Sequence, residues 1–153
     1  MELAMKKLII ILTLILSACS SKIGNYSNAS PSISEAMASD VSSYLHEAYS
    51  PAKTQFNFDN EIQSTDYFGL TLQDNLRQKG FAIKLNPKNN KQLTQENMES
   101  DSRLLNISVK YIVDTLDHNS YRVTLYLSDA VISRAYSTEK GNFTSLGNWV
   151  RGN

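Results

Sequence analysis

LNISVKYIVDTLDHNSYRVTLYLSDAVISRAYS, residues 105–137, is the stretch that decides the fold. Leu105, Ile107, Val109, Tyr111 and Val113 alternate with Asn106, Ser108, Lys110 and Asp114, the period-2 pattern of a long strand buried on one face. Asp117-His118-Asn119-Ser120 supplies turn residues. Tyr121, Val123, Leu125 and Leu127 then alternate with Arg122, Thr124, Tyr126 and Ser128, and Ala130 to Ser137 makes a further strand after a tight corner. Glu139-Lys140-Gly141-Asn142 turns the chain again, into a last strand Phe143 to Val150. Three short connections in succession make an antiparallel meander.

The face that β-residues 130–137 present depends on the corner. A three-residue loop, Ser128-Asp129-Ala130, puts Leu127 opposite Val131 and gathers Arg122, Thr124, Tyr126, Ile132, Arg134 and Tyr136 on one open side. A two-residue loop puts Ile132, Arg134 and Tyr136 on the face of Leu125 instead, because a shift of one residue exchanges faces. Both registers satisfy the pattern. Under the first, Arg122, Tyr126, Arg134 and Tyr136, with Trp149 nearby, form a candidate partner surface of the aromatic and arginine type common at interfaces.

Upstream the periodicity changes to helical. Ser32-x-x-Glu35 reads as a capping box, and Ile33, Met37, Val41, Tyr44, Leu45 and Ala48 form an apolar stripe that ends near Tyr49-Ser50-Pro51. Lys53 to Phe58 reads as a short strand. Ser64, Thr65 and Asp66 offer caps for a second helix with Phe68, Leu72 and Leu76 inward, closed by Lys79-Gly80-Phe81. Phe81 to Leu85 is a strand, and Asn86 to Asp101 a polar loop. Helix, strand, helix, strand and meander together predict an α+β two-layer sandwich, with two helices on one face of a mainly antiparallel sheet.

The N-terminus predicts an address. Lys6 and Lys7 precede an apolar run from Leu8 to Leu16, and Leu16-Ser17-Ala18-Cys19 closes it as a lipobox, the recognition site of a lipoprotein signal peptidase. The run is too short to span a bilayer, which takes about 20 residues, so the attachment expected is acyl chains on Cys19. Ser20 and Ser21 in place of Asp favour the periplasmic face of the outer membrane. The organisation expected is a signal peptide over 1–18, a lipidated cysteine and flexible tether over 19–31, and a single periplasmic domain over 32–153.

Cys19 is the chain's one cysteine, so no disulfide, thiolate nucleophile or cysteine-based metal site is expected. Removing Lys6, Lys7 and Glu2 from 15 basic and 15 acidic residues leaves 13 and 14, a balance with no nucleic-acid footprint. Of the two histidines, His46 flanks the first helix's stripe, and His118 lies in a turn beside Asp114 and Asp117. Those three groups are turn vocabulary before they are metal ligands. Neither a Gly-x-Ser-x-Gly elbow nor a glycine-rich phosphate loop occurs. No enzyme, cofactor or small-molecule substrate is expected.

Short motifs in a fixed order carry a family resemblance. They are Gly24-Asn25-Tyr26, Pro51 to Thr54, Asp66 to Gly69, Lys79 to Ala82, Tyr121 to Leu125, Ser133 to Tyr136 and Gly147 to Arg151. In these the chain resembles the TrbH conjugal-transfer lipoproteins. The resemblance implies a structural or assembly piece of a mating-pair-formation, type IV secretion apparatus, anchored to the membrane and held by other proteins of the complex. It implies no catalytic residues and transfers only Cys19 as a functional site. The competing expectation is a periplasmic ligand-binding or envelope-assembly lipoprotein unrelated to conjugation, for which a deep apolar pocket would speak; a hydrolase would need Ser, His and a carboxylate converging in a cleft.

Overall fold

The computed structural model describes residues 23–85 and 103–152. Within them two helices and seven strands form an α+β fold. In chain order the elements are β1 (Gly24–Asn25), α1 (Pro31–Ala48), β2 (Thr54–Phe58), α2 (Tyr67–Gln78), β3 (Ala82–Leu85), β4 (Leu105–Asp117), β5 (Ser120–Leu127), β6 (Val131–Ser137) and β7 (Thr144–Gly152). Short 3₁₀ turns at Pro51–Lys53 and Glu139–Gly141 lead into β2 and β7.

The sheet runs β3-β2-β4-β5-β6-β7. From β4 onward every pair is antiparallel, the meander read from the alternation. β2, α2 and β3 make a parallel unit, and β2 also lies parallel to β4. β4 is the longest strand because it has two partners on one edge: Leu105 to Val109 pair with β2, and Ile112 and Val113 pair with β1. Between those pairings, at Lys110 and Tyr111, the strand changes neighbour.

Alternation places Phe56 and Phe58 of β2, Ile107, Val109, Tyr111 and Val113 of β4, and Tyr121, Val123, Leu125 and Leu127 of β5 on the covered face. They join Met37, Ala38, Val41 and Leu45 of α1 and Phe68, Leu72 and Leu76 of α2 in one core. Burying a side chain of this size is worth roughly 1.5–3 kcal/mol, which is how a domain without disulfides holds together.

The corner between β5 and β6 takes the two-residue form. Leu127 N–H donates to Ala130 O at 2.8 Å, so Ser128-Asp129 is the loop, and Leu125 lies opposite Ile132. Ile132, Arg134 and Tyr136 therefore face the helices, and the single open cluster of the three-residue register does not form. On β7, Val150 pairs with Ser133 and Leu146 with Ala135, so Gly147, Asn148 and Trp149 bulge opposite Arg134 alone.

Two features at the N-terminal side differ from the sequence reading. The cap of α1 is Ser30, not Ser32: Ser30 Oγ accepts from Ile33 N–H at 3.4 Å, and Pro31 takes the first helical position, where its missing N–H costs nothing. Residues read as tether also join the sheet. Tyr26 N–H donates to Val113 O at 2.8 Å, Asn28 and Thr115 exchange hydrogen bonds, and Ala29 packs against the core.

The end of α2 follows expectation. Phe81 N–H reaches Leu76 O and Gly80 N–H reaches Arg77 O, the two bonds of a Schellman closure, with Gly80 at φ +88°.

Candidate functional site

Leu16, Ser17, Ala18 and Cys19 lie outside the described residues, as does the polar stretch 86–101 expected to form a loop. The remaining candidates divide between the two faces of the sheet. Arg122 and Tyr126 stand on the open face, Tyr126 at 41% exposure. Arg122 pairs across strands with Asp114, with Nη2 2.5 Å from Oδ2, an ion pair in contact with solvent. The same face carries the exposed apolar side chains Val131, Leu146 and Val150.

Arg134, Tyr136 and Trp149 sit on the other side and clasp α1 to the end of the sheet. Arg134 Nη1 donates to both carboxylate oxygens of Asp40 at 3.0 and 3.1 Å, Nη2 to Ser145 Oγ at 2.8 Å, and Nε to Gly147 O at 3.0 Å. Tyr136 is fully buried, and its hydroxyl donates to Asp40 Oδ2 at 2.9 Å. Trp149 packs on Tyr44 with ring centroids 4.9 Å apart, and the guanidinium of Arg134 lies 5.7 Å from the indole centroid. One guanidinium thus serves three separate partners through its three nitrogens, Asp40, Ser145 and Gly147, a spread that the single ammonium of lysine cannot reproduce. Three of the five residues named as a partner surface thus fasten α1 to the sheet, Tyr136 from the core and Arg134 and Trp149 from half-buried positions.

A third fastening closes the same edge. Tyr49 hydroxyl donates to Asp129 at 2.9 Å, and Arg151 Nη2 lies 3.2 Å from the same carboxylate.

A second cluster, absent from the sequence reading, centres on Asp66. Its Oδ1 caps α2 by accepting from Gly69 N–H at 3.0 Å and also accepts from Asn25 Nδ2 at 3.4 Å; its Oδ2 accepts from Tyr111 hydroxyl at 2.5 Å. One carboxylate thereby joins β1, α2 and β4. Gly69 permits this, since a Cβ there would stand 2.1 Å from Tyr111 Oη and 2.8 Å from Ile62 Cγ2. Asp66 was legible as a cap; its bond to Tyr111 joins residues 45 apart in sequence and has no local signal.

Next to this cluster, where β4 changes neighbour, lies a cavity of about 350 Å³ bordered by Asn25, Tyr26, Glu61, Asp66, Tyr67 and Tyr111 among others. Its lining mixes polar groups with apolar ones such as Ile23, Phe58 and Val109, where a lipidic ligand would need a deep, mostly apolar pocket.

His46 packs edge-on against Phe81 at the C-terminal turn of α1. His118 is exposed in its turn; Asp114 is engaged by Arg122, and Asp117 accepts from Asn119 N–H at 2.9 Å. That backbone bond holds the Asp117 carboxyl below its usual range. Among the described residues no three His, Cys, Asp or Glu side chains gather as metal ligands.

The buried phenols make a pH prediction. Burial, and then the neighbouring Asp66 or Asp40, pushes Tyr111 and Tyr136 far above the ordinary tyrosine value, and burial followed by Asp129 raises Tyr49 to about 12. In the unfolded chain they ionise near pH 10. Above that pH the folded state binds more protons, so the contribution of these phenols to stability is constant below about pH 9 and falls as pH rises through 10. Absorbance at 295 nm should show Tyr49, Tyr111 and Tyr136 protonated until unfolding; all eight tyrosines ionising together in a folded protein would contradict this packing.

A family model described as conjugal transfer protein TrbH matches residues 20–153. No curated protein and no solved structure matches the chain.

Proposed function

The chain belongs to the TrbH family of conjugal transfer proteins, and from that premise we propose that it is a non-catalytic, lipid-anchored assembly component of a mating-pair-formation apparatus at the outer membrane. The lipobox ending in Cys19 is the observation that carries the anchor. Two or more acyl chains on one residue make attachment stable, where a single chain would give only reversible binding. The assembly role is supported by how the distinguishing motifs are used. Gly24-Asn25-Tyr26 docks the N-terminal segment, Asp66 to Gly69 joins three elements, and Ser133 to Tyr136 with Gly147 to Arg151 clasps α1 to the sheet. These residues build a rigid body rather than a reaction centre.

The open sheet face, with Arg122, Tyr126, Val131, Leu146 and Val150, is the surface we assign to other proteins of the transfer complex. The near-neutral charge argues against direct contact with the transferred DNA. In the cavity beside β1 the carboxylate of Asp66 is already committed to Gly69, Asn25 and Tyr111, which disfavours a ligand-capture role.

Cys19→Ser in a donor cell is the test. It should yield an unprocessed, unacylated precursor and reduce DNA transfer to the level of a donor lacking the gene. Normal transfer with Cys19→Ser, or an unacylated N-terminal peptide by mass spectrometry in the native protein, would refute the anchor. Tyr126→Glu with Arg122→Ala should leave stability within about 0.5 kcal/mol, because both are on the surface, yet reduce transfer.

A further inference from the structure

We infer that the end of the domain formed by β1 and the start of α2 rests on the bilayer itself, with Tyr26 and Tyr67 in the lipid headgroup layer. This rests on acylation of Cys19, proposed above. A dozen-residue tether would let the domain turn freely, but β1 is part of the sheet from Gly24. Only residues 20–22 separate Cys19 from Ile23, the first described residue. Four residue steps reach at most about 14 Å fully extended. The acylated residue sits at the boundary of the hydrocarbon and headgroup layers, and the headgroup layer is itself about 5–8 Å thick on each side. Ile23 is therefore held within a side chain's length or two of the membrane surface.

The fold determines which part of the domain comes with it. Tyr26 N–H on Val113 O, Asn25 on Asp66, and Asn28 on Thr115 lock the segment in place, so the domain cannot present another side while the anchor is embedded. At that end two large aromatic side chains are uncovered: Tyr26 is 53% exposed and Tyr67 46%, and both border the cavity next to β1. Leu70, one helical turn beyond Tyr67, is 37% exposed. A ring with a polar tip is suited to the headgroup layer, where tyrosine is enriched, and the Tyr26 hydroxyl, which donates to Ile23 O at 3.2 Å, lies beside the first residues of the anchored segment. Glu61 and Lys110 near the cavity give charges of both signs, so the contact does not depend on anionic lipid.

Because acylation consumes the native thiol, an introduced cysteine in the full-length acylated protein is the single labelling site. Nitroxide labels at Tyr26→Cys, Tyr67→Cys and, as control, Glu47→Cys are compared in phosphatidylethanolamine–phosphatidylglycerol vesicles. Glu47 is exposed near the far end of α1, roughly 24 Å along the helix from Pro31. Labels at 26 and 67 should gain accessibility to oxygen over a polar nickel complex, and the label at 47 should not. Amide exchange in the unlabelled protein should slow on vesicles around 23–27 and 60–70.

Three equally water-exposed labels, with acylation verified by mass, would overturn the orientation and leave the anchor standing. An unacylated Cys19 would overturn both. Labels at 26 and 67 that respond only in envelopes containing the transfer apparatus, and not in pure lipid, would replace the bilayer with a protein partner.

Discussion

Gly69→Ala is expected to lower stability by about 2–4 kcal/mol, or on the order of 10 °C in Tm for a domain of this size. In an isolated helix the same change would stabilise by up to about 1 kcal/mol, since alanine is the better helix former. Here the new methyl would occupy the place of the Tyr111 hydroxyl, 2.1 Å away, and crowd Ile62 at 2.8 Å. The Tyr111 ring cannot simply swing aside, because it packs on Phe68 at a centroid distance of 5.1 Å and is buried. Either the ring shifts and strands the Asp66 bond, or α2 lifts from β4. Tyr111→Phe removes the colliding oxygen, so in the double variant Gly69→Ala with Tyr111→Phe much of the loss should return. Chemical denaturation of the four members of this cycle measures the coupling; simple additivity would mean that the two residues do not compete for space.

Asp40→Ala should cost about 2–3 kcal/mol. Removing one partner of a fully buried ion pair costs about 3–5 kcal/mol, and the lower figure applies because the Asp40 side chain keeps 30% exposure and that of Arg134 17%. What remains is a guanidinium held by Ser145, Gly147 O and the Trp149 ring without a counter-charge, and a fully buried Tyr136 hydroxyl without its acceptor. Asp40→Asn keeps an acceptor for Tyr136 while losing the charge, and should fall between wild type and alanine. Thermal unfolding followed by circular dichroism ranks the three; an alanine variant within about 0.5 kcal/mol of wild type would show that the clasp contributes nothing. For the same reason, replacing Arg134 and Tyr136 together should unfold the domain rather than merely weaken a partner contact.

Those two residues show where sequence reading stopped. The alternation of β6 offers two sets, Val131, Ser133, Ala135 and Ser137 or Ile132, Arg134 and Tyr136, and neither is purely apolar. A charged residue in the second set speaks against burying it. The structure buries that set because α1 brings Asp40 to meet Arg134 from 94 residues away, and a carboxylate in reach turns a penalty into a fastening. With a loop one residue longer or shorter equally available, local pattern had no means of choosing.

β1 carries no local signal for a related reason. Two paired residues, one of them glycine, have neither the length nor the hydrophobicity that marks a strand, and Ser, Asn and Gly nearby are the composition of a linker. The segment is held by backbone bonds to Val113 and by side chains aimed at Asp66 and Thr115, partners that folding supplies. The cap of α1 differs by two residues because Ser30 and Ser32 both suit the position, and Pro31 favours the earlier one.

By itself the sequence determined what depends on neighbours along the chain. That covers α2 between Asp66 and Gly80, most of the stripe of α1 though not Ala48, which is exposed, the period-2 strands of the meander and the α+β class, because caps, turns and periodicity act over a few residues. Only the tertiary structure decided which face β6 buries, that β4 serves β2 and β1 on one edge, and that the segment from Gly24 onward belongs to the sheet. Each of those is set by a carboxylate or carbonyl brought from a distant segment, and a hydrogen bond across tens of residues leaves no mark on the local pattern at either end.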